Sequence, residues 1–197
     1  FMHTLRQYFA NTKDTSTSDY MMMGLMNSVI ENTYNYLDGK NTYSVRANLS
    51  WASTIALNWI LGVDKQGDWA THRLSYPITK EYQITHGYAL AMIFTSWART
   101  ALKYNPNTMI PKLSLLGKEL FNDDNYKNTL DHLDQLFISW GASVTMSSID
   151  GVVTENKITN IVENALIFGN VGNVIELDLE LGKEIFKSSL NNKHEGD

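Results

Sequence analysis

Residues 85–103 read as a helix that is apolar on most of its sides, with Ala89, Met92, Ile93, Ser96 and Trp97 among its inward options. A helix with no polar face has to be surrounded by other elements, so this segment predicts a buried central helix within a helical assembly. The run Tyr88 to Ala98 is its most apolar part and is too short to span a bilayer. The flanking sequence supplies helices to pack against it. Strand-like alternation is weak almost everywhere, and stretches of helical periodicity recur between short breaks.

Residues 1–10 read as the end of a helix, and Asn11 to Ser18 as a polar linker. Ser18 is the expected N-cap of a helix carrying Met22, Met26, Ile30, Tyr34 and Leu37 on one face, closed by Asp38-Gly39. A further helix is expected from Val45 to Leu61, ending at Gly62, with the small residues Ala52, Ser53 and Ala56 allowing close approach of a neighbour. Asp68 then precedes a short helix starting at Trp69 that Pro77 should end. After the break Asn105-Pro106-Asn107, helices are expected at about 111–121, 125–140, 155–167 with Thr154 as N-cap, and 177–190, before a fraying tail from Asn191 to Asp197. The reading is one all-α domain of seven to nine helices over residues 1–197, since no linker is long enough to argue for two.

Composition narrows the function classes. Apolar residues make up 43% of 197, enough for a sizeable core. The formal charge of −5, without a basic stripe, argues against a nucleic-acid partner. The absence of cysteine rules out disulfides, thiolate zinc sites and a thiol nucleophile. The first residues have neither the apolar stretch nor the cleavage site of a signal peptide, and a cytoplasmic protein is expected. Phe1 ahead of Met2 suggests a chain cut from a longer one. The run Met21-Met22-Met23 has the thioethers that suit Cu(I), but within an amphipathic helix it reads as core filling.

Five histidines remain as candidates for chemistry. His194 lies in the tail, and His132 sits in Leu130-Asp131-His132-Leu133-Asp134 with a surface role expected. His3, His72 and His86 lie in helices of otherwise apolar character. Buried histidines are most often hydrogen-bonded core residues, so from the residues alone a metal site is one option beside plain packing. Imidazole suits Fe, Zn, Ni and Cu.

Several separated motifs add to this. The stretch Val45-Arg46-Ala47-Asn48-Leu49-Ser50-Trp51-Ala52-Ser53-Thr54-Ile55-Ala56-Leu57-Asn58, followed by Asp68-Trp69-Ala70-Thr71-His72, resembles the iron-containing alcohol dehydrogenases, in particular their NAD(P)H-dependent butanol-dehydrogenase and aldehyde-reductase branch. His3-Thr4-Leu5-Arg6-Gln7-Tyr8 resembles that family's first metal-binding helix, and Thr85-His86-Gly87 its His-Gly motif, fourteen residues after His72. The resemblance is strong over residues 45–98 and loose after about 105.

The resemblance implies the C-terminal helical domain of the dehydroquinate synthase-like type. In this family that domain holds one divalent metal, Fe(II) or Zn(II), through an Asp and three His. It implies hydride transfer between an alcohol or aldehyde and NAD(P)H carried by a separate N-terminal domain. Apart from that domain, an apolar patch should be exposed on the face carrying His72, Tyr76 and His86, and a homo-oligomer is expected through this or another face. Carried over by position, the histidine ligands are His3, His72 and His86. The Asp would fall four residues before His3, outside this sequence. A nicotinamide-proximal His of the family is replaced by Tyr76, whose hydroxyl titrates near ~10 and relays protons poorly at neutral pH. Asp68, four residues before His72, could stand in for the missing carboxylate, but it reads as the cap of the helix that follows. No Gly-rich dinucleotide motif is present, so these residues alone are expected to be inactive. The competing expectation is a degenerate helical domain that only packs, dimerises or binds a partner.

Overall fold

The computed structural model describes residues 1–63, 65–148 and 153–190. The expected fraying tail and His194 lie outside the described residues. Within them there are nine α-helices, two single-turn 3-10 segments (Ile60–Gly62 and Met146–Ser148) and no strand; the one β-type pairing is an isolated bridge between Val171 and Leu177. In chain order the helices are α1 (Met2–Tyr8), α2 (Ser16–Leu37), α3 (Tyr43–Leu57), α4 (Ala70–Tyr82), α5 (His86–Tyr104), α6 (Pro106–Phe121), α7 (Tyr126–Ser139), α8 (Glu155–Ala165) and α9 (Leu179–Leu190). No helix among the described residues is long and apolar enough to cross a membrane.

The residues group into two compact units. The first comprises Phe1–Asp68 and Asn107–His132. Its interior collects Leu5, Tyr8 and Phe9 from α1 and its end, Met22, Met23 and Met26 from α2, and Met109, Leu113 and Leu116 from α6. Met22 and Met23 are therefore core filling, as the sequence suggested, while Met21 faces outward. Seven residues are too few to make α1 stable by itself. It is fixed from two sides: Gln7 Nε2 donates to the Ala56 carbonyl at 2.9 Å, and Tyr8 Oη donates to the Lys112 carbonyl at 2.7 Å. Lys112 Nζ in turn donates to the Tyr8 carbonyl at 2.9 Å.

The second unit comprises Trp69–Pro106 and the described residues from Leu133 onward. Every residue of α5 from Ala89 to Ala98 is buried, as the apolar sequence requires. α4 and α9 flank α5, and α8 packs on both α4 and α9, closing a ring of four helices. Arg99 reaches Asp134 of α7 at 3.0 Å, and Lys103 reaches Glu184 of α9 at 2.9 Å.

Local expectations failed at identifiable places. α2 is capped at Thr15 rather than Ser18, and Tyr34 and Leu37 at its far end are exposed. α3 stops at Leu57, because Trp59 takes a left-handed backbone (φ 67°) before the 3-10 turn. The N-cap of α4 is Trp69, so Asp68 is not the capping residue; its side chain is buried one position earlier. Pro77 does not end α4, which continues to Tyr82. An interior proline costs about 3 kcal/mol, and the packing of α4 against two helices, with Leu74 and Ile78 fully buried, outweighs it. Pro106 opens α6 rather than breaking the chain, since a first-turn proline loses no helical hydrogen bond. Thr154 caps α8 as expected, its hydroxyl accepting from Lys157 N at 3.3 Å.

Candidate metal centre

His72 is the third residue of α4 and His86 the first of α5, both in the second unit. Between them α4 ends at Gln83, whose left-handed backbone (φ 52°) turns the chain, and Thr85 leads in extended conformation into α5. This turn sets His86 beside the middle of α4, next to Ser75 and Tyr76. The two imidazoles meet edge to face, with ring centroids 5.2 Å apart and planes at 70°. His72 is buried, flanked by Trp69 at 5.6 Å and Tyr76 at 6.3 Å between centroids. His86 is half-buried, and Tyr76 lies nearly parallel to it, at 5.4 Å and 14°.

The pair fits a shared ion. An imidazole nitrogen binds zinc at ~2.0–2.1 Å, which puts its ring centroid ~3.2 Å from the metal, so two imidazoles on one tetrahedral ion have centroids ~5.2 Å apart. The observed separation of 5.2 Å is of that size. Burial lowers the pKa of His86 below the ordinary histidine value, which favours the neutral ring that can donate a lone pair.

Polar support comes from a residue that the sequence reading did not single out. Ser75, fully buried, donates its hydroxyl proton to the His72 carbonyl at 2.8 Å, and its oxygen lies 3.3 Å from His86 Nδ1. Helical spacing could have found it, because Ser75 is three residues after His72 and so lies on the same side of α4.

His3 belongs to the first unit, where it is half-buried on α1 and its carbonyl accepts from Gln7 Nε2 at 3.1 Å. His132, also in the first unit, pairs with Asp123 at 3.0 Å and rests against Phe121. That agrees with the surface role expected of it. Asp123 is held at a pKa of about 2, chiefly by hydrogen bonds from Asn128 and His132 and from the Asn125 amide.

Residues 1–190 match the model of the Fe-containing alcohol dehydrogenase family, C-terminal. The chain belongs to that family. The protein named probable NADH-dependent butanol dehydrogenase 1 of Bacillus subtilis (strain 168) is 29% identical over 196 residues, which cover 95% of this chain and 49% of that protein. The NADPH-dependent aldehyde reductase YqhD of Escherichia coli (strain K12) is 36% identical over 93 residues, 47% of this chain and 24% of the reductase. Among solved structures, the NADH-dependent butanol dehydrogenase A of Thermotoga maritima superposes with a TM-score of 0.85 at 25% identity, over 96% of this chain and 50% of that one. The chain thus spans about half the length of the Bacillus relatives it matches. Its all-α architecture is that of the C-terminal half of an iron-containing alcohol dehydrogenase.

Proposed function

We propose that this chain is the metal-holding, substrate-side domain of an NAD(P)H-linked alcohol dehydrogenase or aldehyde reductase, with His3, His72 and His86 as its histidine ligands. The observation that carries the reading is the His72–His86 pair, two imidazoles at a spacing suited to one ion, with burial lowering the His86 pKa. His3 joins them because its motif resembles the family's first metal-binding helix. A divalent ion held there, Fe(II) or Zn(II), supplies Lewis-acid polarisation of a substrate oxygen. The protein's own part is to fix the donor nitrogens, and Trp69 and Tyr76 limit water around the His72 ring. The substrate class is a small alcohol or its aldehyde, as the names of the relatives indicate for those proteins.

In this reading residues 1–197 form one helical domain, and the nicotinamide is carried by a nucleotide-binding half outside these residues. A working enzyme of this kind is placed in the cytoplasm, where the nicotinamide cofactor is available, and self-association is expected through exposed apolar surface. Ile167 and Phe168 provide some of that surface in the second unit, with Arg73 stacked on Phe168 at 5.0 Å.

Zinc(II) and cobalt(II) titrations by calorimetry, with metal analysis after dialysis, test the reading. His3→Ala, His72→Ala and His86→Ala should each weaken binding by tenfold or more while the far-ultraviolet circular dichroism stays helical. Affinity unchanged from that of the unsubstituted chain in all three variants would exclude this site. The second reading, a domain that only packs or docks, draws on Tyr76, which fills the place of a family histidine and lies stacked on His86. It predicts no specific metal uptake at all.

A further inference from the structure

We infer that Ser75 is a positioning residue that holds His86 in the tautomer with its proton on Nδ1, so that Nε2 is the ring's donor nitrogen. The inference rests on the metal-centre reading for its purpose, but its geometry stands within α4 and α5 alone.

Ser75 has a single hydroxyl proton. A carbonyl can only accept, so the 2.8 Å contact to the His72 carbonyl uses that proton. The 3.3 Å contact between Ser75 Oγ and His86 Nδ1 therefore has the ring as donor, Nδ1–H to Oγ. In a neutral imidazole a proton on Nδ1 makes Nε2 the lone-pair nitrogen. Ser75 is fully buried, so its hydroxyl is shielded from bulk water. Its bond back to the carbonyl three residues earlier is the ordinary local option of a serine inside a helix, and it keeps the hydroxyl oxygen turned toward α5.

Tyr76 complements it. Lying nearly parallel to the imidazole, its ring opposes the out-of-plane swing that would exchange the two nitrogens. The adjacent pair Ser75-Tyr76 thus sets both the proton position and the plane of His86. Ser75 also ties the backbone of one proposed ligand, His72, to the ring of the other. Neighbours that orient a ligating histidine through its second nitrogen typically change metal affinity 10–100-fold when removed.

The test is nitrogen-15 NMR of the intact chain at pH 8, where a histidine with an ordinary or lowered pKa is neutral, using long-range proton–nitrogen correlations assigned with a His86→Asn variant. The expected result is Nδ1–H at His86 in the unsubstituted chain. Ser75→Ala should raise the Nε2–H fraction and lower zinc(II) affinity roughly tenfold. Tyr76→Phe, which keeps the stacked ring, should leave the tautomer unchanged. Nε2–H in the unsubstituted chain overturns the inference outright, as does a tautomer indifferent to Ser75→Ala in a folded variant. An Nδ1–H ring that depends on Ser75 in a chain that takes up no zinc(II) would sustain the positioning role and sink the metal reading instead.

Discussion

Gly117 shows how much one missing atom can decide. A Cβ at this position of α6 would overlap the Asp123 carbonyl and press on Thr129 Oγ1, whose hydroxyl bonds the Leu113 carbonyl at 3.0 Å. The start of α7 can lie this close to α6 only because residue 117 has no side chain, and Asn122 makes the intervening turn with a left-handed backbone (φ 56°). The obstacles are backbone and a fully buried side chain, which cannot swing away cheaply. Gly117→Ala should therefore destabilise the chain by about 1–3 kcal/mol, as overpacking does in other cores, and a urea melt should show it as a lower midpoint. An unchanged midpoint would mean the α6–α7 corner opens freely. At the same scale, Ser75 and Tyr76 are the residues by which this chain's candidate centre differs most from a bare set of histidines.

Among the elements, α1 carries the proposed ligand His3 and, at seven residues, is too short to be stable alone. The clasp between Tyr8 and Lys112 is reciprocal, and Lys112 Nζ also sits 5.0 Å above the Tyr8 ring. Burial, with the nearby Lys65 charge, lowers the Lys112 pKa from 10.5 to about 8, while Asp19 opposes the shift. Because the folded value lies below the unfolded one, the unfolded chain binds more protons between about pH 8 and 10.5. Stability from this group should therefore rise with pH across that window and be flat below it, where Lys112 is charged in both states. Thermal melts of the unsubstituted chain against Lys112→Met, from pH 7 to 10.5, should show the difference between them moving in favour of lysine as pH increases. A difference that is constant or moves the other way contradicts a buried, charge-penalised lysine. α4 makes a complementary point: Pro77 gives up a helical hydrogen bond, yet the helix persists because it packs on α5 and α8 with Leu74 and Ile78 buried.

For the whole molecule, the decisive fact is extent. The chain matches about half of the Bacillus relatives, and its described residues carry helices without a Gly-rich phosphate-binding turn. Hydride transfer needs a nicotinamide held in line with the substrate, and such positioning is worth on the order of 7–11 kcal/mol of barrier. The isolated chain loaded with zinc(II) or iron(II) should therefore oxidise no NADH or NADPH above background with a butyraldehyde-type substrate, followed at 340 nm. Supplying the nucleotide-binding half of a related dehydrogenase as a separate chain is the condition under which a rate should first appear. Turnover by the chain alone, abolished in His72→Ala, would show that cofactor binding resides in residues read here as plain helix.

Periodicity and local chemistry, both written in the sequence, determined the all-α class, the burial of α5 and the approximate span of most helices. They also determined the caps at Thr154 and the stops at Gly39 and Gly141, which take left-handed backbone. Motif order and spacing singled out His72 and His86, which the fold brings into ring contact. Tertiary structure decided what local rules mispriced. Packing carried α4 through Pro77, and Asp68 was taken inward instead of capping. A left-handed Trp59 cut α3 short at Leu57. The hydroxyl that serves His86 was likewise a three-dimensional choice. Nothing in the residue type marks Ser75 out, and the angle at which α5 meets α4 puts its hydroxyl at Nδ1. Hydrogen bonds between helices depend on crossing geometry, which the sequence of either helix alone does not contain.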